Sequence, residues 1–298
     1  MSPNSSIRTT IGGRELSISN LDKVLYPATG FTKGQVIDYY VRIADAMLPH
    51  IADRPLTLKR YPNGVDHPYF FEKHVPAHAP DWIRRIHVPS ASDGEAVDYS
   101  VVCDVAALAW AANLAAIELH VPLWHVGRRR KLPAPPDHMV FDLDPGEGTS
   151  IVECCDVAIL IDAILSDRGL QASPKTSGSK GLQLYVPLKG RPTWAGLRDD
   201  AHGIALQLEK DHPGLIVSNM RKNLRRGKIL IDWSQNHPAK TTVAAYSLRG
   251  RAEPTVSTPV TWNEVRACRD RTDAELLTFT AEQVLERVDE MGDLFAAI

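Results

Sequence analysis

The run His138-Met-Val-Phe-Asp-Leu-Asp-Pro-Gly146 constrains this chain more than any other segment. Extended backbone sends successive side chains to opposite faces, so Asp142 and Asp144 project on one side while Phe141 and Leu143 project on the other. Such a segment calls for a sheet with an apolar layer behind it and an open polar face in front. The two acids stand roughly 7 Å apart along the backbone. Side chains of that reach can share a pair of hard divalent cations, which prefer carboxylate oxygens and keep water or substrate phosphate as further ligands. The chemistry this suggests is phosphoryl transfer. Pro145 and Gly146 end the strand just after the second acid and leave that edge open. Asp before Pro-Gly is also ordinary turn chemistry. Asp232 moves the balance, because three apolar residues, Ile229-Leu-Ile, lead into it as in a buried strand. An acid at the end of such a strand needs a partner, and a cation shared with the first two is the simplest one.

With 298 residues, 44% of them hydrophobic, the chain can bury a sizeable core as one large domain or two intimately packed subdomains. Cys103, Cys154, Cys155 and Cys268 show neither Cys-x-x-Cys nor Cys/His ligand spacing, so no zinc site or disulfide framework is indicated. A reducing, cytoplasmic compartment follows. The polar stretch Met1 to Thr10 lacks an apolar signal region, and the most apolar helical segment carries Asp156 and Asp162, which argues against secretion and membrane insertion. The net charge of −2 hides a segregation. Between Ser218 and Arg251 stand Arg221, Lys222, Arg225, Arg226, Lys228, Lys240, Arg249 and Arg251, with Asp232 as the sole acid. From Trp262 onward acids outnumber bases. A basic patch beside the third acid suits a polyanion, although a solvated face is the usual meaning of a charge run.

Thr32-x-x-Gln35 reads as a capping box, and Val36, Tyr40, Ile43 and Met47 follow at helical spacing, which predicts an amphipathic helix from about Thr32 to His50. Asp104 is placed to cap an Ala-rich helix running to Glu118. Ser150-x-x-Glu153 opens another helix, closed by Gly169. Leu182 to Leu188 reads as a strand, Trp194 to Lys210 as a helix and Lys228 to Asp232 as a strand. Thr261-x-x-Glu264 and Thr280-x-x-Gln283 start two terminal helices. Strands and helices mix without strict alternation, which favours α+β over a doubly wound sheet. The Pro-rich piece Leu132 to Pro136 divides residues 1–136 from residues 137–298, which carry the acids, but is too short to link independent domains. The expectation is therefore a single domain over residues 1–298.

Lys175-Thr-Ser-Gly-Ser-Lys180-Gly181 offers hydroxyls, glycine amides and an ammonium, the ingredients of a phosphate cradle, without the Walker pattern. Alone, such a run is more often a surface turn. Arg225, Arg249 and Arg251 can supply fork-shaped donors to a triphosphate or backbone phosphate, though each alone is ordinary surface charge. Adjacent aromatics Phe70 and Phe71 follow the turn Arg60-Tyr-Pro-Asn-Gly64. In a strand they face opposite ways, so a core role for one is the default. If both are exposed on a loop, they suit stacking on an unpaired base. His120, at the expected end of the Ala-rich helix, is by itself more often a helix-end or core histidine than a catalytic one.

Several of these segments together resemble a known family. Asn20-Leu-Asp-Lys-Val-Leu-Tyr-Pro, Lys59-Arg-Tyr-Pro-Asn-Gly, Phe70-Phe-Glu-Lys, His120-Val-Pro, Phe141-Asp-Leu-Asp-Pro-Gly-Glu-Gly, Thr176-Ser-Gly-Ser-Lys-Gly, Asp232-Trp-Ser-Gln-Asn and Tyr246-Ser-Leu-Arg-Gly-Arg251 look like the polymerase domain of bacterial ATP-dependent ligase D. That domain belongs to the archaeo-eukaryotic primase-polymerase superfamily and serves non-homologous end joining. The similarity runs in order from about Leu16 to the C-terminus.

The resemblance implies a primase-polymerase fold, with a mixed, largely antiparallel sheet core flanked by helices. It implies a template-directed, ribonucleotide-preferring nucleotidyltransferase that fills gaps and extends DNA ends. Asp142, Asp144 and Asp232 would bind two ions of manganese or magnesium. His120, Ser177, Lys180, Gln183, Arg225, Gln235 and Arg249 would serve the incoming NTP or dNTP. Phe70 and Phe71 would support the template with Arg60 close by, and Asn20, Lys23 and Lys33 would hold a 5′-phosphate on double-stranded DNA ends and gaps. Two lysines and an amide do form a plausible dianion pocket with steep salt dependence. Ku and an ATP-dependent DNA ligase are the implied partners, at the nucleoid. The chain contains no ligase Lys-x-Asp-Gly motif, so sealing needs another domain or protein. One departure stands out: Gln183 occupies a position where the family commonly has histidine, and glutamine cannot become cationic. A metal-dependent nuclease and a non-catalytic end-bridging module are the competing readings.

Overall fold

The computed structural model describes residues 6–89, 95–126, 133–190 and 192–298; the first five residues and Leu132 of the Pro-rich piece lie outside them. Two hairpins open the chain, β1 (Ser6–Ile11) with β2 (Arg14–Ser19) and β3 (Val24–Tyr26) with β4 (Phe31–Thr32). The Thr32 capping box starts α1 (Lys33–Arg42), with Thr32 Oγ1 accepting from the Gln35 N–H. The one helix expected from Thr32 to His50 is two, because Ile43 relaxes to ψ −2° and α2 (Ala44–Ile51) begins after it. The apolar stripe of Tyr40, Ile43 and Met47 runs buried through the junction, so spacing alone does not register the break.

Strand β5 (Thr57–Arg60) pairs with β6 (Phe70–Glu72), and β7 (Arg84–Val88) with β8 (Val97–Val101). Asp104 caps α3 (Val105–Asn113) through the Ala107 N–H. The Ala-rich helix does not reach Glu118. Ala115 takes φ +56° and the chain reverses into β9 (Ala116–Val121), so His120 lies on a strand and not at a helix end. There Ile117, Leu119 and Val121 alternate with Glu118 and His120, and pairing with β5 overrides the helical bias of the preceding alanines. With β15 (Thr242–Val243) these strands form a sheet of order β15-β9-β5-β6.

The expected acid-bearing strand is β10 (His138–Pro145), the centre of a second sheet. Its neighbours are β12 (Leu182–Pro187) and β14 (Ile229–Asp232), flanked in turn by β11 (Ser173–Thr176) and β13 (Ile216–Val217). Every pairing is antiparallel except β13 with β14. Helices α4 (Ile151–Asp167), α5 (Trp194–Asp211) and α6 (Trp262–Arg271) contribute Cys155, Ile161, Ala201, Ile204 and Val265 to one apolar core with Phe141 and Leu143. Burying Phe141 and Leu143 completely stabilises by about 1.5–3 kcal/mol each. That burial fixes the orientation of β10 and turns its acids to the opposite face. Helix α7 (Ala281–Met291) returns to the other core, where Val284 and Leu285 join residues of α1 and α3. Trp194 and Phe279 pack against both cores. The architecture is α+β, with largely antiparallel sheets flanked by helices. Among the described residues no helix is long and apolar enough to cross a membrane.

Candidate active site

Strand register places Asp142 opposite Asp232 on β14 and opposite Gln183 on β12, while Gln183 stands opposite Lys175 on β11. Directly opposed residues share a face, so Lys175, Gln183, Asp142 and Asp232 form a row across four strands. Asp144 lies two residues along β10 on the same face. Oxygens of Asp142, Asp144 and Asp232 lie within 4.8 Å of one another. Asp142 Oδ1 accepts from Gln183 Nε2 at 2.9 Å, and Asp232 accepts from the Ser234 N–H at 3.0 Å, Ser234 Oγ at 2.6 Å and Gln235 Nε2 at 3.0 Å.

Burial and the neighbouring Asp144 charge push Asp142 up to about 7, against the opposing bond from Gln183. Partial desolvation and the Asp232 charge raise Asp144 as well, and Arg225 opposes them. Converging like charges with only oxygen donors fit a hard divalent cation, whose charge would relieve the repulsion. The three acids could therefore hold a metal ion.

His120, Asp142, Asp144, Ser177, Lys180, Gln183, Arg225, Gln235 and Arg249 line one open cleft, together with Arg251. The Ser177–Gly181 segment is a tight turn between β11 and β12, in which Ser177 Oγ accepts from the Gly181 N–H at 3.0 Å and the Ser179 N–H at 3.2 Å. Arg249 donates to the Ser177 carbonyl and Arg251 to Ser179 Oγ, so two guanidinium groups brace the turn. Arg225 is anchored on the Met220 carbonyl at 2.6 Å, and its Nε is buried without a protein partner. Backbone amides, an exposed ammonium and guanidinium groups thus face the acids across one cleft, an arrangement that can bind a polyphosphate. Glu118 was not among the residues expected at the site, yet it bonds His120 Nε2 at 3.0 Å. Its only sequence signal is an acid alternating with Ile117 and Leu119, two residues before the histidine.

The remaining expected residues lie outside the residues lining that cleft. Phe70 and Phe71 are 44% and 54% exposed on edge strand β6, so neither is in the core and neither sits on a loop. The Arg60 guanidinium lies 5.1 Å from the Phe70 ring and is held by Glu72 at 3.0 Å. Phe71 meets His120 edge to face, ring centroids 5.9 Å apart, which joins this ledge to the cleft. Tyr69, 51% exposed and also unforeseen, extends the ledge. Asn20 takes φ +56° in a turn where its carbonyl accepts from the Lys23 N–H, and the Lys33 N–H bonds the Lys23 carbonyl. The three are thus gathered by backbone. Burial lowers Lys33 to about 8, helped by the positive charges of Lys23 and Arg60.

Comparison with known proteins shows the family and the fold. Residues 32–295 match the family described as LigD, primase-polymerase domain. The multifunctional non-homologous end joining protein LigD of Mycolicibacterium smegmatis is 46% identical over 281 residues, covering 94% of this chain and 36% of that protein. The bifunctional LigD of Bacillus subtilis is 31% identical over 280 residues, covering 93% of this chain and 43% of that protein. The chain thus spans less than half the length of these relatives. The solved polymerase domain of Mycobacterium tuberculosis ligase D in complex with DNA superposes with a TM-score of 0.88 at 44% identity, covering 95% of this chain and 97% of that one. With three acids, a turn rich in backbone amides and a basic rim on this fold, the chain belongs to the LigD primase-polymerase domain family, whose members are DNA-directed nucleotidyltransferases.

Proposed function

We propose that this chain, acting as a single domain, is a template-directed nucleotidyltransferase that fills gaps and extends DNA ends during non-homologous end joining, with a preference for ribonucleotides. The observation that carries the reading is the convergence of three carboxylates, two of which, Asp142 and Asp144, line one cleft with the braced Ser177–Gly181 turn. Asp142, Asp144 and Asp232 would hold two divalent ions, manganese or magnesium. When bound, such ions lower the pKa of a primer 3′-hydroxyl and neutralise charge on the triphosphate and departing pyrophosphate. The protein's own groups bind and orient. The turn amides, Lys180, Arg225 and Arg249 grip the phosphates, while His120, Ser177, Gln183 and Gln235 flank the nucleotide. The exposed rings of Phe70 and Phe71, with Arg60 behind them, stack on the template base. Asn20, Lys23 and Lys33 receive the 5′-phosphate across the gap. A DNA ligase and the Ku end-binding protein are the proposed partners, at the nucleoid, in keeping with relatives named for end joining.

The test is extension of a gapped, 5′-phosphorylated duplex with ribo- and deoxyribonucleotides in parallel, in manganese or magnesium. Asp142→Ala should abolish extension and leave end binding intact. Extension by that variant at the wild-type rate would refute the reading, and nucleotide-independent shortening of the strand would point to a nuclease instead.

A further inference from the structure

Glu118 is only 2% exposed, yet donors converge on both of its oxygens. Oε1 accepts from Lys59 Nζ at 2.9 Å, from Tyr61 Oη at 2.9 Å and from the Gly250 N–H at 3.1 Å. Oε2 accepts from His120 Nε2 at 3.0 Å and lies 3.3 Å from Arg249 Nε. Burial alone would raise this carboxyl, but His120, Arg249 and Lys59 outweigh it and hold the group well below the usual carboxylate range. The side chain is therefore an ionised anchor with its acceptor capacity filled.

Its partners belong to two different surfaces. His120 and Arg249 line the cleft, and the Gly250 bond fixes the backbone from which Arg249 departs. Lys59 and Tyr61 sit under the aromatic ledge, with Lys59 Nζ 4.1 Å from the Tyr69 ring centre, 5.3 Å from Tyr61 and 5.9 Å from Phe71. An ionised carboxylate can only accept, so the imidazole nitrogen facing it must carry a proton, which leaves Nδ1 as the nitrogen free to meet a ligand.

We infer that Glu118 is the positioning residue of this site: it sets the ring orientation and Nε2-protonated form of His120, aims Arg249 at the Ser177–Gly181 turn, and ties Lys59 beneath the aromatic ledge. Nucleotide capture and template stacking then share one anchor. The inference rests on the nucleotide roles proposed above for His120 and Arg249.

Glu118→Gln keeps the shape but turns an amide NH₂ toward donors. Single-nucleotide extension on the gapped duplex should show its KM for nucleotide raised roughly ten- to hundred-fold. The fall in kcat should stay within about three-fold, since the metal-binding acids are untouched. Glu118→Asp, which keeps the charge, should recover part of the loss. If Glu118→Gln proves too unstable, Lys59→Met/Glu118→Gln removes the buried cation with the anion and should reproduce the rise in KM. In the wild-type protein, ¹⁵N signals of His120 should report protonation at Nε2. An Nδ1-protonated His120, or an unchanged KM in either folded variant, would overturn the inference. Loss of extension in Asp142→Ala alongside an unchanged Glu118→Gln would sink this inference alone, whereas extension by Asp142→Ala would sink the polymerase reading beneath it.

Discussion

Gln183 donates one amide hydrogen to Asp142 and buries its carbonyl oxygen without a protein partner. A buried acceptor left unmet costs about 1–3 kcal/mol. An imidazole, which the family resemblance leads us to expect at this position, can keep the bond to Asp142 and, once cationic beside a polyphosphate, has no acceptor to orphan. Gln183→His should therefore raise the melting temperature and lower KM for nucleotide by about three- to ten-fold. Thermal unfolding and steady-state extension measure the two effects, and a higher KM would count against this account of the residue. Lys33 supplies a pH dependence. Its folded value of about 8 lies below the ordinary 10.5, so the folded protein binds this proton less readily than the unfolded chain. The cost of keeping the ammonium charged is present in full below about pH 8, and the fold gains stability as pH rises from there toward 10.5. Phosphate recognition runs the other way, because only the charged form attracts the dianion. Preference for phosphorylated over hydroxyl ends should be greatest below pH 8 and decline above it, in a window where the phosphate itself, with a second pKa of about 6, no longer titrates. A preference constant from pH 7 to 10 would show that Lys33 does not contact the phosphate.

Among the elements, β10 and β14 depend on a close approach at Gly146. A Cβ there would overlap the Arg225 carbonyl oxygen and lie 2.8 Å from the Lys228 oxygen. Gly146→Ala should push the loop of Arg225 and the start of β14 away, lowering stability by about 1–3 kcal/mol. Extension should fall by more than that loss of folded protein explains. Denaturant titration and extension on the same preparation separate the two, and normal activity in the Gly146→Ala variant would show that the loop can give way. Much at this scale was legible in the sequence. Capping boxes at Thr32, Ser150, Thr261 and Thr280 start four helices, and two-residue alternation gave β10 its acid-bearing face. The Ala-rich segment reads as a helix running to Glu118 because alanine favours a helix wherever tertiary pairing does not intervene. Here the reversal at Ala115, a left-handed residue without glycine to announce it, ended the helix early. The same bias hides Glu118, since an acid expected on a helix carries no sign that donors from β5 and the Arg249 segment will close around it. Exposure of both Phe70 and Phe71 stays open in the sequence for a related reason: edge position is a property of the sheet, not of the residues.

Over the whole molecule, the net charge of −2 disguises a cleft rimmed by Lys180, Arg225, Arg249 and Arg251 and a second basic corner at Lys23, Lys33 and Arg60. The sequence displayed the basic stretch from Ser218 to Arg251, but only folding brings Asp232 to β10, because that contact spans ninety residues between 142 and 232. End binding should fall steeply with salt, and Lys23→Ala should reduce the slope of log affinity against log salt by about one. An unchanged slope would remove Lys23 from the phosphate contacts. The row running from Lys175 through Gln183 and Asp142 to Asp232 has a consequence of its own. Because Gln183, Asp142 and Asp232 come from three neighbouring strands, slipping β12, β10 or β14 by a single position would send its polar group into the oily layer behind and an apolar or aromatic one to the face of the acids. A misthreaded copy would therefore never bring the three carboxylates together, and the cation site would be lost with the register.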